Sequence, residues 1–275
     1  MSCYTVKRFV GAHAEPPLLS LGPGSSVRSY ILTMEDGGRD LTQLQLVTRD
    51  TYLLINQGYK KCSKPDVTNA MHDLLHANKY VCALERNNPD PVFVFEDDAQ
   101  LLSLAPEDFR ECIEVARQPG VDAVALCCVP LLSWRSKALS DGRFALDWHR
   151  VDVGGTTCAM LLSPSGRTKL LAMQVPPWLP HDSLLYRKLK VYTPRKPLAG
   201  QLHPETENQQ VWDKSGVIKS MIFDTAQCDQ SAYRCYSSFH NELDWNGLFV
   251  RPISAFIGLL SIVAMAPLTG IARSR

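Results

Sequence analysis

The sequence predicts an α/β domain with a mostly parallel central sheet. Three observations predict it. The chain has 275 residues, 45% of them hydrophobic, and a formal net charge of +1. That length suits one large domain or two small ones, with a sizeable buried core. From residue 27 onward, short apolar runs alternate with segments whose apolar residues recur near every 3.6 positions, as in strand–helix–strand units. The run Val92-Phe93-Val94-Phe95 is apolar at every position, as a strand covered on both faces by helices reads. The near-zero charge provides no global attraction to nucleic acid.

Tyr4 to Val10 reads as a short first strand. Residues 11–26, rich in Pro, Gly, Ala and Ser, read as a loop. Residues 1–26 are therefore an N-terminal strand and loop, and 27–245 the main domain. Val27 to Met34 is a strand ending in the turn Glu35-Asp36-Gly37-Gly38. Arg39 to Asn56 reads as a helix through Leu41, Leu44, Val47 and Leu54, closed by Gly58. Ser63 is a candidate cap for the next helix, with Asp66 three residues on and Val67, Ala70, Met71, Leu74, Val81 and Leu84 at helical spacing. Pro89-Asp90-Pro91 stops it before the apolar strand. A helix over Pro106 to Arg117 and a strand over Val121 to Leu126 follow. Beyond these, Phe144 to Val153 and Thr156 to Leu162 read as strands, and Ser163 to Ala172 and Asp182 to Lys190 as helices.

The two ends differ. The N-terminus lacks the apolar core of a signal peptide. Pro252 to Ala272 carries no charged residue and is flanked by Arg251, Arg273 and Arg275. A membrane-crossing helix needs about 20 apolar residues, so 248–272 is expected to be a C-terminal anchor that leaves the main domain in the cytosol. The competing reading is a buried core helix or an amphipathic tail. The nine cysteines show no C-x-x-C spacing. A zinc or redox motif is not expected, and most of the thiols read as small buried hydrophobes in a reducing compartment.

The chemistry is sharpest at Glu96-Asp97-Asp98, directly after the apolar strand. Adjacent carboxylates repel one another, and burying them uncompensated is costly. A strand running into such a cluster sets it at the carboxyl end of the sheet, where open α/β sheets bind ligands. Hard oxygen ligands there suit Mg²⁺ or Mn²⁺ bridging nucleotide phosphates. The bland alternative is a solvated acidic turn or a helix start.

Three segments, Gly58-Tyr59-Lys60-Lys61-Cys62, Asp73-Leu74-Leu75-His76-Ala77-Asn78 and Val92 through Asp98, resemble a group of giant-virus glycosyltransferases. That group is similar to the family-25 glycosyltransferases of lipopolysaccharide biosynthesis and collagen galactosylation. Gly154-Gly155-Thr156-Thr157-Cys158-Ala159, Lys196-Pro197-Leu198 through Gln201, Pro204-Glu205-Thr206-Glu207-Asn208 and Trp212 agree with it in order. The resemblance spans roughly residues 27–215. It implies a GT-A fold, a UDP-sugar donor, a divalent metal (Mn²⁺ or Mg²⁺), and a glycan or glycoprotein acceptor. By position, Asp97 and Asp98 are implied as metal and diphosphate contacts, Glu96 as a brace for the loop, and Arg39 as a donor contact. A Ser-His pair usual in the broader family is replaced here by Thr68-Asn69-Ala70-Met71-His72. Asn69 and His72 are candidate substitutes. Lys64 is a candidate phosphate contact, with an exposed lysine as the plainer reading.

Other residues complete the expected constellation. Asp182 begins a short helix and is the candidate base for an inverting transfer, which needs a proton taken from the acceptor hydroxyl. Its plainer role is a helix cap. His203 is a candidate metal ligand, because a late histidine often completes the metal shell of GT-A enzymes. Glu205 and Glu207 alternate on an extended segment, so both point one way, toward acceptor hydroxyls or in the base role. Gln201 and Asn208 suit sugar hydroxyls. His72 and His76 have helical spacing but no third ligand for zinc. The tryptophans read as core, with Trp178 the one candidate sugar platform. No Gly-x-x-x-x-Gly-Lys-Ser/Thr loop is present, which argues against a phosphohydrolase of that type.

Overall fold

Val92-Phe93-Val94-Phe95 is buried on both faces, with exposures of 0, 0, 3 and 0%. Successive strand residues point to opposite sides, and the two sides meet two different cores. Phe93 and Phe95 join Ile31, Phe109, Ile113 and Leu126 on one face. Val92 and Val94 join Leu32, Val81, Leu162, Leu170, Leu185 and Tyr186 on the other. The structure is a computed structural model and describes residues 2–9, 17, 19, 26–35, 39–45, 47–139, 141–174, 181–201, 243–245 and 248–250.

The elements are β1 (Tyr4–Arg8), β2 (Arg28–Met34), α1 (Thr42–Gln45), β3 (Thr51–Asn56), α2 (Ala70–Leu84), β4 (Val92–Glu96), β5 (Ala99–Leu101), α3 (Pro106–Ala116), β6 (Ala123–Ala125), β7 (Val129–Arg135), β8 (Trp148–Gly155), β9 (Ala159–Leu162), α4 (Pro164–Ala172), α5 (His181–Lys188), β10 (Val191–Pro194), β11 (Ala199–Gln201), β12 (Leu243–Trp245) and β13 (Leu248–Val250). Eleven strands form one sheet in the order β1-β3-β2-β4-β9-β6-β10-β8-β7-β13-β12, and β11 pairs with β5 apart from it. The α/β class therefore holds.

The expected parallel character does not. Among the described residues, only β2–β3, β2–β4 and β6–β10 pair in parallel. The sheet's other described pairings are antiparallel, including β9 set between β4 and β6. A strand buried on both faces reads as continuously apolar whichever way its neighbours run. The apolar run thus reported burial and carried no information on direction.

A second correction concerns Arg39 to Asn56. Among the described residues of that span, Thr42–Gln45 is helical, and Thr51–Asn56 is a strand in parallel register with β2, Ile31 opposite Leu53. The run Thr51-Tyr52-Leu53-Leu54-Ile55 is rich in the β-branched and aromatic residues that sheets favour. The next helix also starts later than expected: Asn69, not Ser63, caps α2, its side chain accepting from the His72 N–H at 2.9 Å. Helix α3 and helix α4, the latter capped by Ser163, match the expected spans closely. At Gly166 an added Cβ would lie 1.9 Å from the Asp122 carbonyl oxygen, so glycine lets α4 press against the chain entering β6.

β1 joins the main sheet, pairing antiparallel with β3, and Cys3 and Cys62 are disulfide-bonded with Cα atoms 5.6 Å apart. That bond departs from the reading of the thiols as reduced. Cys82, Cys112, Cys127, Cys128 and Cys158 are buried thiols outside any disulfide, as expected. Trp134 is 46% exposed, contrary to the core reading, whereas Trp148 is fully buried. The first three residues of the expected anchor, Leu248–Val250, form β13 against β7. Residues 251–272 lie outside the described residues. Among the described residues, no helix is long and apolar enough to cross a membrane.

Candidate functional site

The acidic triplet sits where β4 ends beside the end of β2, and its three side chains meet different sets of partners. Asp97 accepts from the Thr33 hydroxyl at 2.9 Å and is ion-paired with Arg39. Asp98 turns inward and is only 5% exposed. Its Oδ2 accepts from Gln201 Nε2 at 3.1 Å and lies 4.0 Å from the Arg39 guanidinium, while its Oδ1 is buried with no hydrogen-bond partner. A buried, unpartnered carboxylate oxygen is costly. Burial, chiefly, pushes the Asp98 carboxyl up to about 6, against the opposing pull of Gln201 and Arg39.

Glu96 faces a third element. Its backbone N–H donates to the Cys158 carbonyl at 2.7 Å, and its Oε1 lies 3.2 Å from the Thr157 hydroxyl. The same hydroxyl is 3.3 Å from Asp182 Oδ1 on α5. One hydroxyl carries one proton, so it cannot fully satisfy two ionised carboxylates. Burial first, and then the charges of Asp98 and Asp182, raise the Glu96 pKa well above the usual carboxylate range. Asp98, Glu96 and Asp182 thus form one electrostatic cluster drawn from β4, the loop after it and the start of α5.

The turn that carries Thr157 is unusual. Thr156 has φ of +64°, a region that β-branched residues rarely adopt. Its carbonyl accepts from the Tyr186 hydroxyl at 2.7 Å. Asp182 and Tyr186 are four residues apart on α5 and so share a face. A Cβ on Gly154 would come within 3.3 Å of the Tyr186 ring and 3.2 Å of Cys128 Sγ, so glycine eases the close approach of the chain to that helix.

The expected site residues divide into three groups. Arg39, Glu96, Asp97, Asp98, Gln201 and, through Thr157, Asp182 come together. Lys64 and Asn69 are occupied elsewhere. Lys64 is neither exposed nor facing a ligand: its Nζ bonds Asp73 Oδ1 at 2.5 Å and Asn56 Oδ1 at 2.7 Å, and it lies 5.1 Å from the centre of the Tyr4 ring. A lysine surrounded by apolar chain is held inside by such a pairing. Asn69 is the cap of α2. His203, Glu205, Glu207 and Asn208, with Trp178 and Trp212, lie outside the described residues.

Neither helical histidine is placed as a zinc ligand. His76 Nδ1 bonds the Tyr4 hydroxyl at 2.8 Å, and His72 Nδ1 lies 3.3 Å from the Asp66 carbonyl. Burial and the nearby Lys64 charge hold the His76 pKa below its ordinary value.

Sequence reasoning missed Thr33, Thr157 and Tyr186 as members of the site. The Gly-Gly-Thr-Thr string was visible, but hydroxyl side chains carry no spacing signal of their own. Among the described residues, no group of three or more His, Cys, Asp or Glu is arranged to hold a metal ion. Magnesium-like ions commonly take only one or two carboxylates from protein and the rest from phosphate and water. Asp98 Oδ1 is one hard oxygen donor of that kind, and the neighbouring Asp97 has its two oxygens engaged by Thr33 and Arg39.

No protein-family profile matches the chain, and no curated protein matches it. Among solved structures it is similar to the crystal structure of A197 from STIV, at 14% identity and a TM-score of 0.39, over 66% of this chain and 87% of that one. A likeness of that size carries no argument about either protein's activity.

Proposed function

We propose that the protein is a metal-assisted glycosyltransferase of GT-A type, moving a sugar from a nucleotide-sugar, a UDP-sugar in the first instance, to a hydroxyl of a glycan or glycoprotein. The observation that carries this reading is the orphaned, buried Oδ1 of Asp98 beside Arg39, at the carboxyl end of β2 and β4. An unsatisfied carboxylate oxygen of that kind fits a cation absent from the protein by itself. A divalent ion held by Asp98 and Asp97 would supply Lewis-acid stabilisation of a departing diphosphate. Arg39 would add a fixed positive charge at the same place. Gln201 holds Asp98 in its orientation. Asp182 is the base that takes the acceptor proton, in an inverting transfer. His203, Glu205 and Glu207 belong to the same proposal.

The test is hydrolysis of UDP-glucose and UDP-galactose with Mn²⁺, comparing wild type with Asp98→Asn. The expected result is metal-dependent turnover that falls at least about a hundredfold in the variant, the scale of losing a key electrostatic contact. Equal, metal-independent rates would remove the assignment. The commitment of Lys64 and Asn69 to the fold favours one second reading, a glycan-binding protein with an inactive transferase fold. Calorimetry that shows glycan binding but no UDP or Mn²⁺ binding would select it.

A further inference from the structure

We infer that Thr157 and Tyr186 are positioning residues of the transfer. Tyr186 clamps the Thr156-Thr157 turn, and the Thr157 hydroxyl sets the candidate base Asp182 at a defined place relative to the acidic triplet. The inference rests on the transferase reading for what Asp182 does, and on geometry for how it is held.

Four features converge on the turn. Thr156 stands at φ +64°, a strained setting for a β-branched residue that persists only where its surroundings over-determine it. Tyr186, 1% exposed, supplies that determination through its 2.7 Å bond to the Thr156 carbonyl. Gly154 gives the ring room to approach. The Thr157 hydroxyl then lies 3.2 Å from Glu96 and 3.3 Å from Asp182, joining the strand that bears the triplet to the helix that bears the base. Because Asp182 and Tyr186 share one face of α5, the helix grips the turn twice. A purely structural turn has no need of a β-branched residue in a left-handed conformation. Glycine would occupy it without strain.

The experiment uses the full chain with Tyr186→Phe, Thr157→Val and Thr157→Ser. UDP-glucose and UDP-galactose hydrolysis with Mn²⁺ is measured alongside amide hydrogen exchange of residues 154–158. Tyr186→Phe and Thr157→Val should each lower kcat about ten- to a hundredfold, as small misplacements of catalytic groups do, with KM for the donor unchanged. Thr157→Ser, which keeps the hydroxyl, should stay within about threefold on the same basis. Exchange at 154–158 should quicken in Tyr186→Phe while the rest of the protein is unaltered. Unchanged exchange there overturns the clamp whatever the activity. A clamp that loosens while kcat holds, or kcat and KM that shift together with global stability, overturns the positioning role. A wild type with an intact clamp and no turnover of either donor removes the transferase reading, and the positioning role with it.

Discussion

Replacing Asp98 by asparagine should make the protein more stable at neutral pH while lowering the proposed transferase activity. The carboxyl is buried, one oxygen has no partner, and burial lifts its pKa from 3.8 to about 6. Its folded-state pKa lies above the unfolded value, so its contribution to stability is fully present below about pH 3.8 and is lost as pH rises through about 6. At about 1.4 kcal/mol per pH unit, the ionised side chain costs the native state up to about 3 kcal/mol at pH 8. Asparagine keeps the shape and has no charge to desolvate. Urea unfolding with a chelator present should therefore find the variant more stable than wild type by about 1–3 kcal/mol at pH 8, with the gap narrowing toward zero at about pH 3. Under the proposed transferase reading, such a site trades stability for activity. A variant that is less stable than wild type at both pH values, or a gap that does not change with pH, would refute the account of Asp98 as an uncompensated buried charge.

Two further outcomes follow from the fold. Lys64→Met should cost about 3–5 kcal/mol in urea unfolding, because Asp73 stays buried without its cation. Lys64→Met combined with Asp73→Leu should recover part of that loss, and a single variant costing under about 1 kcal/mol would contradict the buried pairing. Cutting the Cys3–Cys62 bond by serine substitution of both residues should cost roughly 4 kcal/mol, the scale for a bridge spanning 59 residues. Dithiothreitol should reproduce that loss in the wild type and leave the double variant unaffected. A wild type whose unfolding is insensitive to the reductant would mean the bond is absent.

The sequence by itself determined the α/β class, the buried strand at Val92 to Phe95, helices α3 and α4 and the place of the acidic triplet. Each is a local signal: apolar periodicity, Pro106 and Ser163 at helix starts, and three carboxylates directly after an apolar run. Local signals survive tertiary context when many residues repeat the same message. Tertiary structure alone decided the rest. The direction of β9 between β4 and β6 is a matter of pairing, which burial does not encode. Thr51–Asn56 carries apolar residues that fit either a helix or a strand, and the open side of β2 chose the strand. Lys64 looked like a solvated or ligand-facing cation until Asp73 and Asn56 enclosed it. The joining of Asp182 to Glu96 through Thr157 brings together residues 61 and 25 positions from that hydroxyl. No pattern in the chain announces such a meeting, because it depends on where two separate elements end in space.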